Sequence, residues 1–275
     1  MRIAIITSTY PRFRGDGVGS FIHSLSQALV QHGHHLTVLA PYDPDVTPGW
    51  PNEVKVKRVH YIWPKSWAIV GHARSLASDV RLRWHAYPLA ALFALSATLH
   101  LYREVRNQQT DIIYAQWLLP GGFIGAIVSY LTGIPLVVSL HGSDVFLVER
   151  YPAFRPVARF VLHKACHVIA CSTDLARRVL RLGLSSESVS VIPYGVDHKR
   201  FTPLAPKAKL PVPNNHHIVM AIGRLVRKKG FSFLLEAAPL VLARHPDVHF
   251  VIAGDGDLKE ELRNLAVSLK IQEHV

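Results

Sequence analysis

The sequence predicts an α/β protein built on doubly wound parallel sheets, and three observations carry that expectation. Short runs that are apolar throughout, such as RIAII and IPLVVSL, read as strands covered on both faces, because a strand with one wet face alternates instead. Such runs are followed by a loop and then by a segment with apolar residues three and four apart, the period of a helix. This strand, helix, strand order recurs along the chain, which means a parallel sheet with helices on both faces.

Taken in order, Arg2 to Tyr10 holds the first strand, and the loop PRFRGDGVGS follows. Phe21, Leu25 and Leu29 then stand at i, i+4 and i+8 of a helix, which Gly33 ends, and His35 to Ala40 is the second strand. The cycle repeats as DIIYAQ, GGFIGAIVSYLTG and IPLVVSLHG, and again as ACHVIACS, TDLARRVLRLG and SVSVIPYG. The stretch FTPLAPKAKLPVPNNHH carries four prolines, which neither a helix nor a central strand accepts, so residues 200–217 read as a linker between a domain at 1–199 and a partial one at 218–275. The latter has HIVMAIG, FSFLLEAAPLVLARHP, VHFVIAG and DLKEELRNLAVSLK. Two strands bury too little to offset an ordering cost of ~1–2 kcal/mol per residue, so the second domain is expected to be incomplete and the chain a piece of a longer one.

Lysine and arginine number 31 against 19 aspartates and glutamates, a formal net charge of +12 that favours anionic partners: phosphates, acidic lipid or nucleic acid. Cys166 and Cys171 read as two free, buried thiols, since five positions apart on a strand they face opposite sides. The opening run MRIAIITSTYPR is too short for a signal peptide, and a cytoplasmic location is expected. Ala86 to Tyr102 is apolar but short of the ~20 residues a membrane span needs, and it reads as a buried helix in preference to a membrane-lying one.

Ligands of open α/β sheets bind beyond the carboxyl ends of the strands, so the loops there are the candidate sites. In Arg14 to Ser20, Gly17 and Gly19 precede a helix, where backbone N–H groups and the helix dipole favour an anion; a turn needing glycine only for its dihedrals accounts for them equally. The spacing is not the G-x-G-x-x-G of dinucleotide folds. HGSDV places His141 and Asp144 after a strand, where the imidazole could hydrogen-bond or hold a proton, although one histidine among 17 is more often surface or packing. Too few ligands converge there for a metal, and none is expected. IPYGVD, with Tyr194, reads as a sharp turn into the linker, and Tyr194 and Asp144 are candidate acceptor or cleft-lining residues. In GRLVRKKG, Arg224 leaves a strand and Lys229 stands just before a helix, so a guanidinium fork, an ammonium and a helix N-terminus can all favour one phosphate. AGDGD, with Gly254 and Asp255, repeats a strand-end turn that could line the same crevice.

These stretches together resemble the retaining, nucleotide-sugar-dependent glycosyltransferases of the GT-B fold, group 1. The resemblance rests on TSTYPRFRGDGVGSFIHSLSQAL, AQWLLPGGFIGAIV, IPLVVSLHGSDVF, VIPYGVDHKRF, AIGRLVRKKGF and FVIAGDGDLKEEL in series, over the whole length. It implies two Rossmann-like domains, the second incomplete here, with acceptor held mainly by the first and donor by the second. Arg224 and Lys229 would bind the donor diphosphate, Gly17 and Gly19 would meet the same phosphates, and His141 would lie beside the reacting sugar. A nucleotide-diphosphate sugar is then a co-substrate, with no further cofactor, and the acceptor is a glycan, a lipid or a small molecule. Val18 separates two glycines that the family commonly has adjacent, and the family's paired-glutamate motif is absent. Little transfer by this chain alone is therefore expected.

The segment from Trp63 to Arg106, with Trp63, Trp67 and Trp84 among basic residues, is a candidate acceptor or membrane-facing surface, which would put the protein peripherally at the inner face of an anionic membrane. A variable helical cover over the sheet is the other reading. Competing functions are a nucleotide-sugar or NAD-dependent oxidoreductase, which wants an acid ending strand two where Asp43 lies past a proline, and a non-catalytic acceptor-binding fragment. No nucleic-acid-binding signature accompanies the positive charge, and no nucleic-acid partner is expected.

Overall fold

The structure, a computed structural model, describes residues 1–51, 53–72, 76–78, 81–82, 86–199, 201–206, 209–210, 212–213 and 215–275. It divides into two compact units, Met1–Asp197 and His198–Val275. Arg83 and Trp84 of the tryptophan-bearing segment lie outside the described residues.

The first unit begins with β1 (Arg2–Ile6), α1 (Ser20–Gln31), β2 (His35–Pro41) and β3 (Lys55–Val59). A short antiparallel pair, β4 (Leu76–Ser78) and β5 (Arg81–Leu82), precedes α2 (Ala86–Asn107). There follow β6 (Ile112–Gln116), α3 (Phe123–Thr132), β7 (Leu136–Leu140), α4 (Ser143–Arg150), α5 (Arg155–Lys164), β8 (His167–Ala170), α6 (Thr173–Leu180) and β9 (Val189–Val191). Seven strands form one parallel sheet in the order β3-β2-β1-β6-β7-β8-β9. The order turns back between β1 and β6, and beside such a reversal the loops leaving the strands diverge and open a crevice.

The apolar strands are buried on both faces, as their lack of alternation requires. On one face Ile6, Ile113, Val138 and Leu140 pack with Phe93, Ala97 and Leu101 of α2 and Ile124 of α3; on the other, Ile5 and Val38 pack with Tyr10 and Ile22. Burial of α2 is one-sided, in contrast to the buried helix the sequence led us to expect. Phe93, Ala97 and Leu101 face the sheet, but Leu95 is 72% exposed and Leu92 and Leu99 are exposed beside it. A single helix face fits against the sheet, and apolar content alone does not say that the opposite face is covered. The cysteines are free, but Cys166 is exposed and Cys171 half-buried, because both fall just outside β8.

The second unit holds β10 (His217–Ile222), α7 (Phe231–Leu242), β11 (Val248–Ala253) and α8 (Lys259–Ser268). The two strands are parallel, from His217 opposite Val248 to Ile222 opposite Ala253. Phe231, Leu235, Phe250, Leu262 and Ile271 form its core. Ile218, Met220 and Ile222 of β10 are exposed despite their apolar character.

Candidate functional site

His141 follows the last residue of β7, at the carboxyl edge of the first unit's sheet. Its Nε2 lies 2.9 Å from Gln116 Oε1, and its Nδ1 is hydrogen-bonded to the Tyr194 hydroxyl. With a carbonyl oxygen as partner, Nε2 carries the proton and Nδ1 accepts the one from Tyr194. Three rings surround the imidazole: Trp117 at 4.5 Å, Phe21 at 5.1 Å, and Tyr194 at 5.7 Å and nearly parallel. Burial pushes the His141 pKa down to about 4, so at neutral pH the side chain is an uncharged hydrogen-bonding group. The same burial raises the Tyr194 phenol, with Cys171 adding to the effect.

Asp144 fixes this arrangement from beneath. Its carboxylate is buried and accepts from the backbone N–H of Leu118 at 2.7 Å and of His141 at 3.2 Å. Burial raises its pKa, against the pull of those bonds. A carboxylate so engaged positions the β6 and β7 loops rather than lining a crevice. Above it Trp117 adopts φ 66° and ψ 142°, a conformation costly to a residue with a side chain. It is held there by its N–H on Ser139 O at 2.9 Å and by its own carbonyl on Gly122 N–H at 2.8 Å. Gln116 Nε2 is buried without a hydrogen-bond partner among the described residues, an unspent donor beside the histidine.

The glycine loop after β1 is braced. Asp16 accepts from Arg12 Nε at 2.7 Å, Arg12 N–H at 3.0 Å and Val18 N–H at 3.1 Å. Burial opposes ionisation of Asp16, but the Arg12 and backbone bonds outweigh it and hold the pKa below the usual range. Arg58 donates to the Tyr10 and Pro11 carbonyls. Gly19 opens α1 with φ 74°, and a Cβ there would stand 3.1 Å from Tyr10 Cα, so only glycine fits; at Gly17 a Cβ would meet nothing within 4 Å. Asp43 is buried within 3.8 Å of Arg12 and 3.7 Å of His72, a structural strut where a dinucleotide fold needs an acid facing a ribose.

In the second unit the loops leaving β10 and β11 are joined by their backbones. Gly223 N–H donates to Ala253 O, and Leu225 N–H to Asp255 O, each at 3.0 Å. The contact requires Gly254, whose Cβ would fall 1.9 Å from Gly223 O. Arg224 and Lys229 are both exposed. The Lys229 stem turns back toward the strand end, its Cδ and Cε 3.9 Å from where a Gly223 Cβ would stand. Directly after it Gly230 stands at the N-cap of α7, with no side chain capping the helix's first N–H groups. Asp255 bonds the next backbone N–H at 3.0 Å and lies 3.7 Å from Lys259.

His141, Asp144 and Tyr194 thus come together in the first unit, at the sheet edge from which the Gly17–Gly19 loop also leaves, and Arg224, Lys229, Gly254 and Asp255 come together in the second. Sequence reasoning overlooked Gln116, Trp117 and Phe21. AQW carried two of them as a motif without roles, and Phe21 was counted only in an apolar stripe. Among the described residues no group of three or more His, Cys, Asp or Glu side chains is placed to hold a metal, and no helix is long and apolar enough to cross a membrane.

Two family models match the chain: Glycosyltransferase Family 4 over residues 15–200 and Glycosyl transferases group 1 over residues 205–275. TuaC of Bacillus subtilis, a glycosyltransferase assigned to teichuronic acid biosynthesis, is 31% identical over 95% of this chain and 67% of its own. A GDP-mannose-dependent monoacylated α-(1-6)-phosphatidylinositol monomannoside mannosyltransferase of Corynebacterium glutamicum is 26% identical over 68% of this chain and 50% of its own. The chain therefore spans about half to two thirds of the length of these relatives. Among solved structures, Anabaena HepE in complex with UDP and glucose superposes with a TM-score of 0.64 at 20% identity, over 100% of this chain and 68% of that one. A likeness at that identity speaks for the fold alone, but the family models cover most of the sequence. The chain belongs to the group 1 glycosyltransferases of GT-B fold, with a Glycosyltransferase Family 4 region at its amino end.

Proposed function

We propose that the protein moves a sugar from a nucleotide-diphosphate donor to a glycan, lipid or small-molecule acceptor, with retention at the anomeric carbon. The bond from that carbon to the diphosphate breaks, a bond to an acceptor oxygen forms, and the acceptor proton is lost. Charge develops on the departing diphosphate, so fixed cations and N–H donors placed there lower the barrier most. The observation that carries this reading is the end of β10, where Lys229 folds over Gly223 beside the uncapped start of α7, with Arg224 at the strand exit. Within the first unit the Gly17–Gly19 turn before α1 is itself suited to an anion, and no metal or other cofactor is needed in this scheme. His141, neutral and ringed by aromatic side chains, takes the sugar by hydrogen bonding rather than by charge. Relatives named for teichuronic acid biosynthesis and for a phosphatidylinositol monomannoside support a polysaccharide or a glycolipid as product.

Calorimetry with UDP and GDP tests the donor half. One of the two is expected to bind, and Arg224→Ala or Lys229→Ala to weaken it by about 10- to 100-fold, the range for hydrogen bonds to charged groups. Affinity unchanged in both variants would overturn the assignment. Since β10 leaves apolar residues exposed and the relatives are longer, the 275-residue chain is expected to bind nucleotide while transferring little by itself.

A further inference from the structure

The outer side of α2 is apolar where an ordinary surface helix is polar. Leu92, Leu95 and Leu99 stand three and four residues apart and are 43%, 72% and 46% exposed. The helical period carries the same stripe on to Arg103 and Arg106, both exposed. The loop before α2 is fastened across it: the Tyr61 and Phe93 rings meet edge to face at 5.5 Å, and the Ser96 hydroxyl donates to His60 O at 2.7 Å. That loop holds Trp63 at 83% exposure and Trp67 at 62%, with exposed Lys65 between them. Residues 55–72 and 86–107 contain six lysines and arginines and a single acid, Glu104, which is buried and held by Lys57.

We propose that this face of the first unit docks on the surface of an anionic lipid bilayer. Leucine and tryptophan side chains enter the boundary between headgroups and acyl chains, and Lys65, Arg103 and Arg106 meet lipid phosphates. The charge of the rim selects this occupant. Within the described residues of 55–72 and 86–107, cations edge the leucines with no exposed acid, while the exposed carboxylate of Glu53 lies in a groove with Arg106. A second copy of the chain would bring the same cations to the contact. No described helix is long and apolar enough to span, so the attachment is peripheral.

The test is co-sedimentation of the 275-residue chain with phosphatidylcholine vesicles with and without phosphatidylglycerol, in low and high salt, without nucleotide, so that its outcome is independent of the glycosyl-transfer reading. Binding is expected only to the anionic vesicles, weakening with salt, with a blue shift in tryptophan emission that Trp63→Phe/Trp67→Phe removes. Leu95→Asp should abolish it, and Arg103→Gln/Arg106→Gln should reduce partitioning by about fivefold per cation removed. Circular dichroism confirms that each variant is folded. Equal binding to neutral vesicles, or wild-type binding by Leu95→Asp, overturns the proposal. So does concentration-dependent self-association lost in Leu95→Asp without vesicle binding, which assigns the stripe to a second copy.

Discussion

The Tyr194 hydroxyl and His141 Nδ1 are hydrogen-bonded across rings only 7° from parallel. That bond uses the one lone pair of a neutral imidazole whose other nitrogen donates to Gln116, so a ligand hydroxyl reaches Nδ1 only by displacing Tyr194. Tyr194 lies near the carboxyl end of the first unit and is itself 52% exposed, so the displacement needs no rearrangement of the sheet.

Tyr194→Phe removes a donor that favours the neutral ring and leaves the aromatic surroundings in place. His141 is expected to titrate above its value of about 4, toward the ordinary histidine range. Imidazole NMR checks this, with His141→Gln identifying the resonance among those of the other histidines. An unchanged titration would mean that Tyr194 contributes nothing to the state of the ring.

Asp144→Asn leaves a side chain of the same size with one acceptor oxygen where two backbone N–H groups require two. The amide NH2 would then face either Leu118 N–H or His141 N–H. A buried donor without a partner costs about 1–3 kcal/mol, and denaturant unfolding should show a loss of that order. If the carboxylate served a ligand instead, stability would hold and binding would fall.

The alternation of strands and helices was legible because buried parallel strands and amphipathic helices each impose a period on a dozen residues. The Asp144 brace was not, since it joins a side chain to Leu118, 26 positions earlier, through a turn that no local pattern announces. Trp117 is harder still, because its positive φ defies its own residue preference and is imposed by Ser139 and Gly122. Arg224 and Lys229 stood out because charge at a strand end is unusual in itself. The exposed side of α2 was hidden because composition gives apolar content and not which neighbours arrive to cover it.

Gly254→Ala tests the joint between the β10 and β11 loops. A methyl group placed 1.9 Å from the Gly223 carbonyl oxygen cannot be relieved by a rotamer change, since both partners are backbone. The loops must part, breaking the Leu225 N–H to Asp255 O bond and shifting Arg224 at its centre. Nucleotide affinity is expected to fall at least as far as in Arg224→Ala, with local loss of amide protection at Leu225 in hydrogen exchange. Intact protection would show that the two loops are not mechanically joined.

Acid should destabilise the first unit earlier than carboxylate chemistry alone would. His141 and His72 are both pushed by burial to about 4, and burial also lowers His23 and His60. The folded state keeps these rings neutral while the unfolded chain protonates them below about pH 6.5. For His141 and His72 the unfolded state therefore binds more protons between about pH 6.5 and 4. As pH falls through that window, stability drops by about 1.4 kcal/mol per unit for each of these two rings, with His23 and His60 acting in the same direction. Asp16 and Glu104, whose pKa values are lowered in the fold despite burial, because the bonds to Arg12 and Lys57 outweigh it, lose their contribution only at lower pH, as the carboxylates protonate. Thermal unfolding followed across this range should give a midpoint that drops well before the carboxylate window. His141→Gln, which cannot titrate, should flatten that drop, and a midpoint that stays level until the carboxylates protonate would show that the buried rings are not neutral.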